Sequence, residues 1–391
     1  MYLITNGQIV TADGIIQDHE LLIENDRIKW IGKKGEIDLT GVEVIDAGGG
    51  YISPGFIDLH TDYIENMASP RPNVLIDFNI SLKETEKIVI NQGITTMFHS
   101  LSLYHITGFS PKAIRTLDNV KKFAELIEKA QTSERLIRHR FHARLEIDNV
   151  EVVDHLIQYI ENQQVHLISF MDHTPGQGQY RDLEIYRQAI IGLNHLTDEQ
   201  ADEFINQHQT KEKLTLEMMK EISQLAQAHG IAIASHDDDS VEKLNLVETF
   251  GATISEFPIT LDVAKKAKEM GMSTIAGAPN ILLGGSHSGN LSAATAISEG
   301  AIDILCSDYY PPALLHSIFK MSEDYGQDLG KMFNLVTINP AKAVKMDTEI
   351  GSLEVGKKAD IIIIEKVEDN FPVVTSTFID GKRVTRTDYR R

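Results

Sequence analysis

The sequence contains very little cysteine, which limits the kind of protein it can be. Cys306 is the single cysteine in 391 residues, so no disulfide bond can form within the chain. Its neighbours Ile304 and Leu305 predict a buried thiol. A lone cysteine favours a reducing compartment, and a strand pattern that begins directly after Met1 predicts that no signal peptide is present. Together these features predict a cytoplasmic protein.

Long apolar runs and an excess of positive charge are also missing. No run approaches the roughly 20 apolar residues that a membrane span needs, so we expect no membrane partner. The chain has 37 Lys and Arg against 57 Asp and Glu, for a formal charge of −20. Because nucleic-acid backbones are bound by clustered Lys and Arg, we expect no nucleic-acid partner. An anionic substrate then has to be held by a local basic patch or by metal ions.

The distribution of apolar residues predicts one large α/β barrel and a small β domain. Between residues 54 and 346, eight short apolar runs alternate with helical patterns, which matches the strand number of a (β/α)8 barrel. The two ends of the chain show period-two alternation broken by turn signals such as Asp13-Gly14. We therefore predict a distorted (β/α)8 TIM barrel at 54–346 and a small β-sandwich domain built from both termini, 1–53 plus 347–391.

One segment is too long for an ordinary barrel loop. Residues 174–212 follow the fourth apolar run, whereas the loop after a barrel strand usually spans only a few residues. Thr197 and Gln200 have the spacing of a helix N-terminal capping box, so part of this insertion is predicted to be helical. The insertion is interpreted either as a lid over a substrate site or as a packing and oligomer-contact segment. With the edges of the small domain, it offers surfaces for a homodimer.

Polar and ionisable residues stand at the ends of the apolar runs. The carboxyl ends of barrel strands converge on one site, and buried strand ends avoid ionisable groups unless another charge balances them. Divalent cations supply such a charge, and imidazole with carboxylate suits zinc, manganese, iron or nickel. His60 and Asp62 lie two residues apart on a strand, so both side chains can reach one metal ion. The full set is His60, Asp62, His99, Glu146, Asp172, His173, His236, Asp237, Asp238, Asp239, Glu256, Asn280, His287 and Asp308.

Several of these residues also have a structural interpretation. His99 follows apolar residues and is more often a core histidine in that setting. His142 shares a strand face with Glu146 but lies deeper, so it is predicted to be structural. His287 lies in a Gly-rich loop, which lets the backbone approach a ligand closely. The aspartates after His236 are expected partly to cap the next helix and partly to orient metal ligands.

Longer motifs resemble the amidohydrolase superfamily. TINPAKAV and GSLEVGKKADIIIIE resemble its general C-terminal signature. The more specific motifs resemble the family of α-D-ribose 1-methylphosphonate 5-triphosphate diphosphatases of the carbon–phosphorus lyase pathway, and they are GFIDLHTD, DHTPGQGQYRD, SHDDDS, EFPIT, GAPNILLGGSHSGN and LCSDYYPP. The resemblance covers essentially the whole chain. It implies a metal-dependent hydrolase that releases pyrophosphate from a phosphorylated sugar in phosphonate catabolism.

The resemblance further implies a role for each strand-end residue. Two divalent ions are expected, with zinc preferred and manganese, iron or nickel as alternatives, and the implied ligands are His60, Asp62, Glu146, His173, His236 and Asp308. Asp308 would also accept the proton of the attacking water. Glu146 would bridge the ions, because no lysine ends the fourth run to form a carboxylated-lysine bridge. Glu256 stands where a histidine is common, either as a ligand or as a residue that orients one. The candidates for substrate contact or ligand orientation are Glu256, His287, Asp237, Arg71, Arg181 and Tyr309.

Two other functions fit parts of this pattern. An amidohydrolase that cleaves a C–N bond, such as a cyclic amidase, deaminase or N-acetyl-sugar deacetylase, fits His60, Asp62 and Asp308 equally well. It fits Glu256, the missing lysine and the motif DHTPGQGQY less well. A metal-free homologue without chemistry is disfavoured because the whole ligand set is present. The favoured prediction is attack of metal-bound hydroxide on phosphorus, with the metal ions neutralising the phosphoryl oxygens.

Overall fold

The computed structural model describes residues 1–38, 40–71, 74–103, 113–178, 182–194, 196–285 and 290–389. Its strands are β1 Tyr2–Thr5, β2 Gln8–Thr11, β3 Gly14–Ile16, β4 His19–Glu24, β5 Arg27–Lys33, β6 Glu43–Asp46, β7 Tyr51–Pro54, β8 Phe56–Thr61, β9 Ile94–Leu103, β10 Arg138–Glu146, β11 Leu167–Met171, β12 Ala232–His236, β13 Ile254–Glu256, β14 Ser273–Gly277, β15 Ile304–Cys306, β16 Ile361–Lys366, β17 Pro372–Ile379 and β18 Lys382–Arg386.

The helices lie mainly between the strands of the central part of the chain. They are α1 Tyr63–Ala68, α2 Phe78–Val89, α3 Leu117–Ala130, α4 Val153–Glu161, α5 Leu183–Asn194, α6 Asp198–Gln209, α7 Leu216–Ala228, α8 Val241–Thr249, α9 Leu261–Glu269, α10 Ala278–Leu283, α11 Ala293–Ser298, α12 Ala313–Tyr325, α13 Leu329–Asn334 and α14 Ile338–Ala343. Within the described residues, no helix has the length and apolar character required to cross a membrane.

Eight parallel strands form the central sheet, in the sequence order β8 to β15. A bridge between Thr61 of β8 and Asp308, just after β15, joins the two edges and closes a distorted barrel. These strands correspond to the eight apolar runs of the sequence. The runs were recognisable because strands buried on both faces of a parallel sheet are almost continuously apolar. The predicted (β/α)8 barrel is therefore confirmed.

The barrel is packed on both sides of its sheet. Its interior is filled by apolar side chains that include Leu59, Phe98 and Ile304, so it is a core and not a pore. Outside, α3 buries Val120 and Phe123 along one amphipathic face. Each large buried side chain of this kind stabilises the fold by about 1.5–3 kcal/mol. Polar residues are therefore left to gather at the strand ends.

The small domain consists of two sheets, as predicted. One has the order β5-β4-β1-β6, and the other has the order β18-β17-β16-β7-β2-β3. β7 pairs antiparallel with β16, so that Pro54 lies opposite Ile361. Ile4 and Phe378 belong to one apolar cluster of this domain. Segments from both ends of the chain thus share one sandwich, and its exact limits at residues 53/54 and 346/347 remain a prediction.

An arginine of the barrel connects it to the small domain. Arg138 at the start of β10 donates hydrogen bonds to both carboxylate oxygens of Asp360 and, at 2.5 Å, to Oδ1 of Asp380. The Arg138 and Asp360 side chains are 15% and 4% exposed. Breaking a buried ion pair leaves one charge without compensation. This cluster therefore stabilises the contact between the two parts.

The insertion after β11 is largely helical, as its capping signal predicts. Thr197 and Gln200 form the reciprocal hydrogen bonds of a capping box at the start of α6. α5 and α6 pack through their own small cluster, in which Tyr186, Ile190 and Ala201 are buried. The insertion therefore forms a helical hairpin beside the carboxyl ends of the barrel strands, where it contributes to the pocket described next.

Candidate active site

A pocket of about 630 Å³ opens at the carboxyl ends of the barrel strands. The helical hairpin of the insertion contributes Tyr186 and His208 to its wall. The residues predicted from the sequence that line it are His60, Asp62, Glu146, Asp172, His173, His236, Asp237, Asn280, Asp308 and Tyr309. All six implied metal ligands therefore lie in one site, although they are far apart in the sequence.

Three residues beside the pocket adopt left-handed backbone conformations. Asp237, Phe257 and Asp308 have φ values of 53°, 56° and 56°. They follow strands β12, β13 and β15, and all three line the pocket. Such a backbone conformation costs a non-glycine residue about 1–3 kcal/mol of conformational energy and is unusual for a bulky side chain. Residues in this conformation are enriched at functional sites. Aspartate adopts this conformation readily, so among the three the strain is greatest at Phe257.

His60 is held by a buried carboxylate. Its Nδ1 lies 3.0 Å from Oε1 of Glu256, whose Oε2 accepts a hydrogen bond of 2.5 Å from the Ser169 hydroxyl. Burial alone would raise the pKa of Glu256, but the histidines His60 and His142 lower it well below its usual range. When Nδ1 of His60 donates to this carboxylate, Nε2 is the ring nitrogen left for a metal ion.

Two further histidines share carboxylate partners. Nδ1 of His173 is 2.5 Å from Oε1 of Glu146, and its Nε2 is 3.6 Å from Oδ2 of Asp237. Burial would lower the pKa of His173, but Glu146 and Asp237 raise it to about 10. Nδ1 of His236 lies 3.0 Å from the same Asp237 oxygen. One carboxylate oxygen thus faces two imidazoles.

This group fits a divalent metal ion. Ligand atoms of His173, His236 and Asp237 all lie within 4.8 Å of one another, and the same holds for His60, His236 and Glu256. Nδ1 of His236 and Oδ2 of Asp237 are both buried without a hydrogen-bond partner in the described structure, although they face each other. Buried polar atoms are normally satisfied. Two such atoms side by side match the donor pair that a cation requires.

Asp308 is fixed where the barrel closes. Its N–H donates to the carbonyl of His60 over 3.0 Å, and its carbonyl accepts from the N–H of Asp62 over 2.7 Å. Burial raises the pKa of the Asp308 carboxyl. A carboxylate with a raised pKa is a better proton acceptor than an ordinary aspartate, which suits the role implied for it.

A buried arginine, Arg144, lies within the site and was missed in the sequence. It is 8% exposed, and its Nη1 donates to Oδ1 of Asp62 over 2.9 Å. Its Nη2 lies 3.5 Å from Nε2 of His236. Arg144 stands two residues before Glu146 on β10, so the alternation rule that pairs His60 with Asp62 could have identified it. Asp62 is thus held by a cation of the protein itself.

A second arginine, Arg115, also lines the pocket and was not predicted. Its Nε and Nη2 contact the two carboxylate oxygens of buried Glu65 over 2.8 and 2.9 Å. The structure does not bring the predicted Arg71 to this pocket, because Arg71 is exposed and lies outside the lining residues. Arg181 and His287 fall outside the described residues.

Two other histidines have structural surroundings. Nε2 of His99 lies 2.8 Å from Nδ1 of His139, whose Nε2 lies 3.1 Å from Oε2 of Glu86. This group packs beside α2 and α3 on the outer face of the barrel, away from the pocket. His142 lies beneath the pocket, where its Nε2 is 2.5 Å from the Ser169 hydroxyl and burial lowers its pKa to about 3.

The chain is similar in sequence to known proteins. The model of the amidohydrolase family matches residues 152–384. The α-D-ribose 1-methylphosphonate 5-triphosphate diphosphatase of Escherichia coli (strain K12) is 33% identical to this chain. The alignment covers 98% of this chain and 100% of that protein. Imidazolonepropionase of Fusobacterium nucleatum is 27% identical over 92% of this chain and 87% of its own length.

A solved structure shares the fold at low identity. The structure of molinate hydrolase has a TM-score of 0.67 and 15% identity, covering 98% of this chain and 94% of its own. At that identity the similarity concerns the fold alone. The family model and the full-length match carry more weight, because each spans more than half of the chain. The chain therefore belongs to the amidohydrolase family and is a hydrolase.

Proposed function

We propose that this chain is a metal-dependent diphosphatase that releases pyrophosphate from α-D-ribose 1-methylphosphonate 5-triphosphate or a close analogue. The match over the whole length of the Escherichia coli diphosphatase carries this proposal. The site supports it, because imidazoles, carboxylates and two arginines line one pocket. The protein would act in phosphonate catabolism in the cytoplasm, with a phosphorylated sugar as its small-molecule partner.

The metal ligands are proposed from the residues at the strand ends. Two divalent ions, with zinc preferred, would be held by His60, Asp62, Glu146, His173, His236 and Asp308. Asp237, which the sequence placed among the orienting residues, joins them as a candidate ligand because its Oδ2 faces His173 and His236. Such ions supply positive charge for phosphoryl oxygens and acidify a bound water. Glu256 is assigned the role of orienting His60 and not that of a ligand, because both of its oxygens already accept hydrogen bonds from His60 and Ser169.

The protein's own groups would position the reaction and move its proton. Asp308 would accept the proton of the attacking water, since burial raises its pKa and its backbone is fixed between His60 and Asp62. Phe257 packs edge-on against the rings of His60 and His236, with centroids 4.9 and 5.1 Å away. This ring keeps one side of the imidazoles dry, which strengthens the electrostatic interactions near them.

The insertion is proposed to act as a lid over the substrate. Tyr186 and His208 of its helical hairpin line the pocket, whereas most of the polar residues on the outer faces of α5 and α6 are exposed. A hairpin with its own small core can move as a unit, because few buried contacts tie it to the barrel. Closure of such a lid would exclude water from the reacting phosphate.

The reaction is tested by product analysis on purified, zinc- or manganese-loaded protein. With the ribose 5-triphosphate, we expect pyrophosphate and the 5-phosphate in equal amounts. Asp308→Asn should lower the rate about 10²–10⁴-fold, the usual contribution of a proton-transferring group, while the bound metal is measured separately. Asp303→Asn is the matched control, because Asp303 pairs with Lys268 and is not among the residues that line the pocket. Ammonia or acetate released from an amide, without pyrophosphate from the triphosphate, would instead support C–N bond cleavage.

A further inference from the structure

Two guanidinium groups lie on one wall of the pocket. Arg115 and Arg144 are the arginines among the described residues that line it, and no lysine joins them there. Each is held by a carboxylate at the start of α1. Asp62 contacts Arg144 over 2.9 Å, and Glu65, one helical turn later, contacts Arg115 over 2.8 and 2.9 Å. A single short segment therefore fixes both cations.

The opposite wall has a different chemical character. The wall with the two arginines is formed on the neighbouring strands β8, β9 and β10. It includes Arg144 and the carboxylates of Asp62 and Glu65, which hold the arginines. The segments after β13 and β14 supply mainly apolar groups instead, which are Pro258, Ile259, Pro279, Leu291 and Ala293. His173, which follows β11, and His236 of β12 lie between the two walls, because β11 and β12 stand between β10 and β13 in the sheet. The pocket thus offers one end for an anion and another for an uncharged group.

We propose that Arg115 and Arg144 form a subsite for the two phosphates that leave as pyrophosphate, so that the enzyme selects a triphosphate over a monophosphate. This inference rests on the proposed function. A planar guanidinium presents paired N–H groups that match phosphate oxygens. Six carboxylates also line the pocket, so an anionic substrate needs cations close to it, and these carboxylates are Asp62, Glu146, Asp148, Asp172, Asp237 and Asp308. Lys211 and Lys213 pair with Asp148 and Asp172, but neither lysine lines the pocket.

The two arginines are held in place before the substrate arrives. Glu65 is fully buried, and its two oxygens fix the plane of the Arg115 guanidinium. Arg144 is held by Asp62 and by a contact of 3.2 Å between its Nε and the Met171 sulfur. Long side chains that are already ordered lose less conformational entropy when they bind a ligand. Arg144 also touches the candidate metal ligand Asp62, so Arg115 provides the cleaner test.

The test is calorimetric titration of the metal-loaded protein with inorganic pyrophosphate and, separately, with inorganic phosphate. Wild type should bind pyrophosphate more tightly than phosphate. Arg115→Gln should weaken pyrophosphate binding about 10- to 100-fold, the usual effect of losing charged hydrogen bonds, with a smaller effect on phosphate. Arg144→Lys should also weaken it, because an ammonium cannot contact two oxygens in the same way. Metal content is measured for each variant.

Arg27→Gln is the matched control. Arg27 pairs with Glu349 over 2.9 Å in the small domain, far from the pocket, so its loss should leave pyrophosphate affinity unchanged. If Arg115→Gln fails to fold, Arg115→Lys retains the charge and is tested in its place. The subsite is overturned if the Arg115 and Arg144 variants both bind pyrophosphate as tightly as wild type. It is also overturned if the wild-type protein binds no pyrophosphate.

The outcomes also separate the subsite from the proposed reaction. If wild type binds pyrophosphate through the two arginines but releases none from the ribose triphosphate, the subsite stands and the proposed reaction fails. If wild type releases pyrophosphate and the variants bind it with unchanged affinity, the reaction stands and the subsite fails. Pyrophosphate binding by the two arginines and the reaction are thus tested separately, and the assignment of the bound phosphates as the leaving group requires both.

Discussion

Replacing Glu256 with glutamine changes its hydrogen bond with His60, which lines the pocket. Glutamine keeps the shape of the side chain but replaces the carboxylate with a neutral amide. It is this carboxylate that accepts a hydrogen bond from Nδ1 of His60 over 3.0 Å. When the glutamine NH₂ group faces Nδ1, the ring proton has to move to Nε2. A protonated Nε2 cannot bind a metal ion. We therefore expect Glu256→Gln to weaken metal binding.

The expected loss of metal affinity follows from the contribution of similar hydrogen-bond partners in other metal sites. Groups that orient a metal-binding histidine contribute about 10- to 100-fold to metal affinity, which corresponds to about 1.4–2.8 kcal/mol. The fold itself should suffer less, because the Ser169 hydroxyl still finds an oxygen of the amide within reach. The weakening should therefore concern metal affinity more than the free energy of unfolding.

Competition with a calibrated chelator measures the metal affinity, and urea denaturation of the metal-free protein measures the stability. Glu86→Gln is the matched control, because Glu86 contacts the buried His139 over 3.1 Å on the outer face of the barrel. That variant should lose about 1–3 kcal/mol of stability and keep its metal affinity. If Glu256→Gln binds metal as tightly as wild type, Glu256 does not orient His60 and the reasoning is refuted.

Two further predictions concern stability. Arg138→Ala should lower the free energy of unfolding by about 3–5 kcal/mol, because it leaves the buried Asp360 carboxylate without its cation; an unchanged urea midpoint would contradict this. Stability of the chelator-treated protein should also fall between pH 7.5 and pH 5.5. Burial lowers the pKa of His99, His139, His142 and His166. These four outnumber His60 and His173, whose pKa is raised by neighbouring carboxylates, so the unfolded chain binds more protons below pH 6.5, the ordinary histidine pKa. His99→Asn should flatten this dependence, and equal midpoints at both pH values would refute the idea.

The barrel could be predicted because its signal is local. Each strand is a short apolar run, and parallel strands carry their functional residues at the same end. This rule located His60, His173 and Asp308 without any knowledge of distances. It also applies to Arg144 on β10, which stands between His142 and Glu146 on the same strand face and was not predicted.

Side-chain partners could not be predicted in the same way. The contact between His60 and Glu256 joins residues 196 positions apart, and only the closed barrel brings them together. Arg71 was expected to contact substrate because it follows the first barrel strand closely, yet the chain leaves it exposed. Arg115 lies in an unremarkable stretch of sequence, and its position follows from its contact with Glu65.

The pairing of β7 with β16 has a consequence for the newly made chain. Pro54 finds its partner Ile361 only roughly 300 residues later, which is about 15–60 s at synthesis rates of about 5–20 residues per second. Throughout that interval β7 presents an unpaired edge, which is a template for association with other chains. The small domain is thus the last part to close during synthesis, and the risk of aggregation is greatest before the C-terminal strands leave the ribosome.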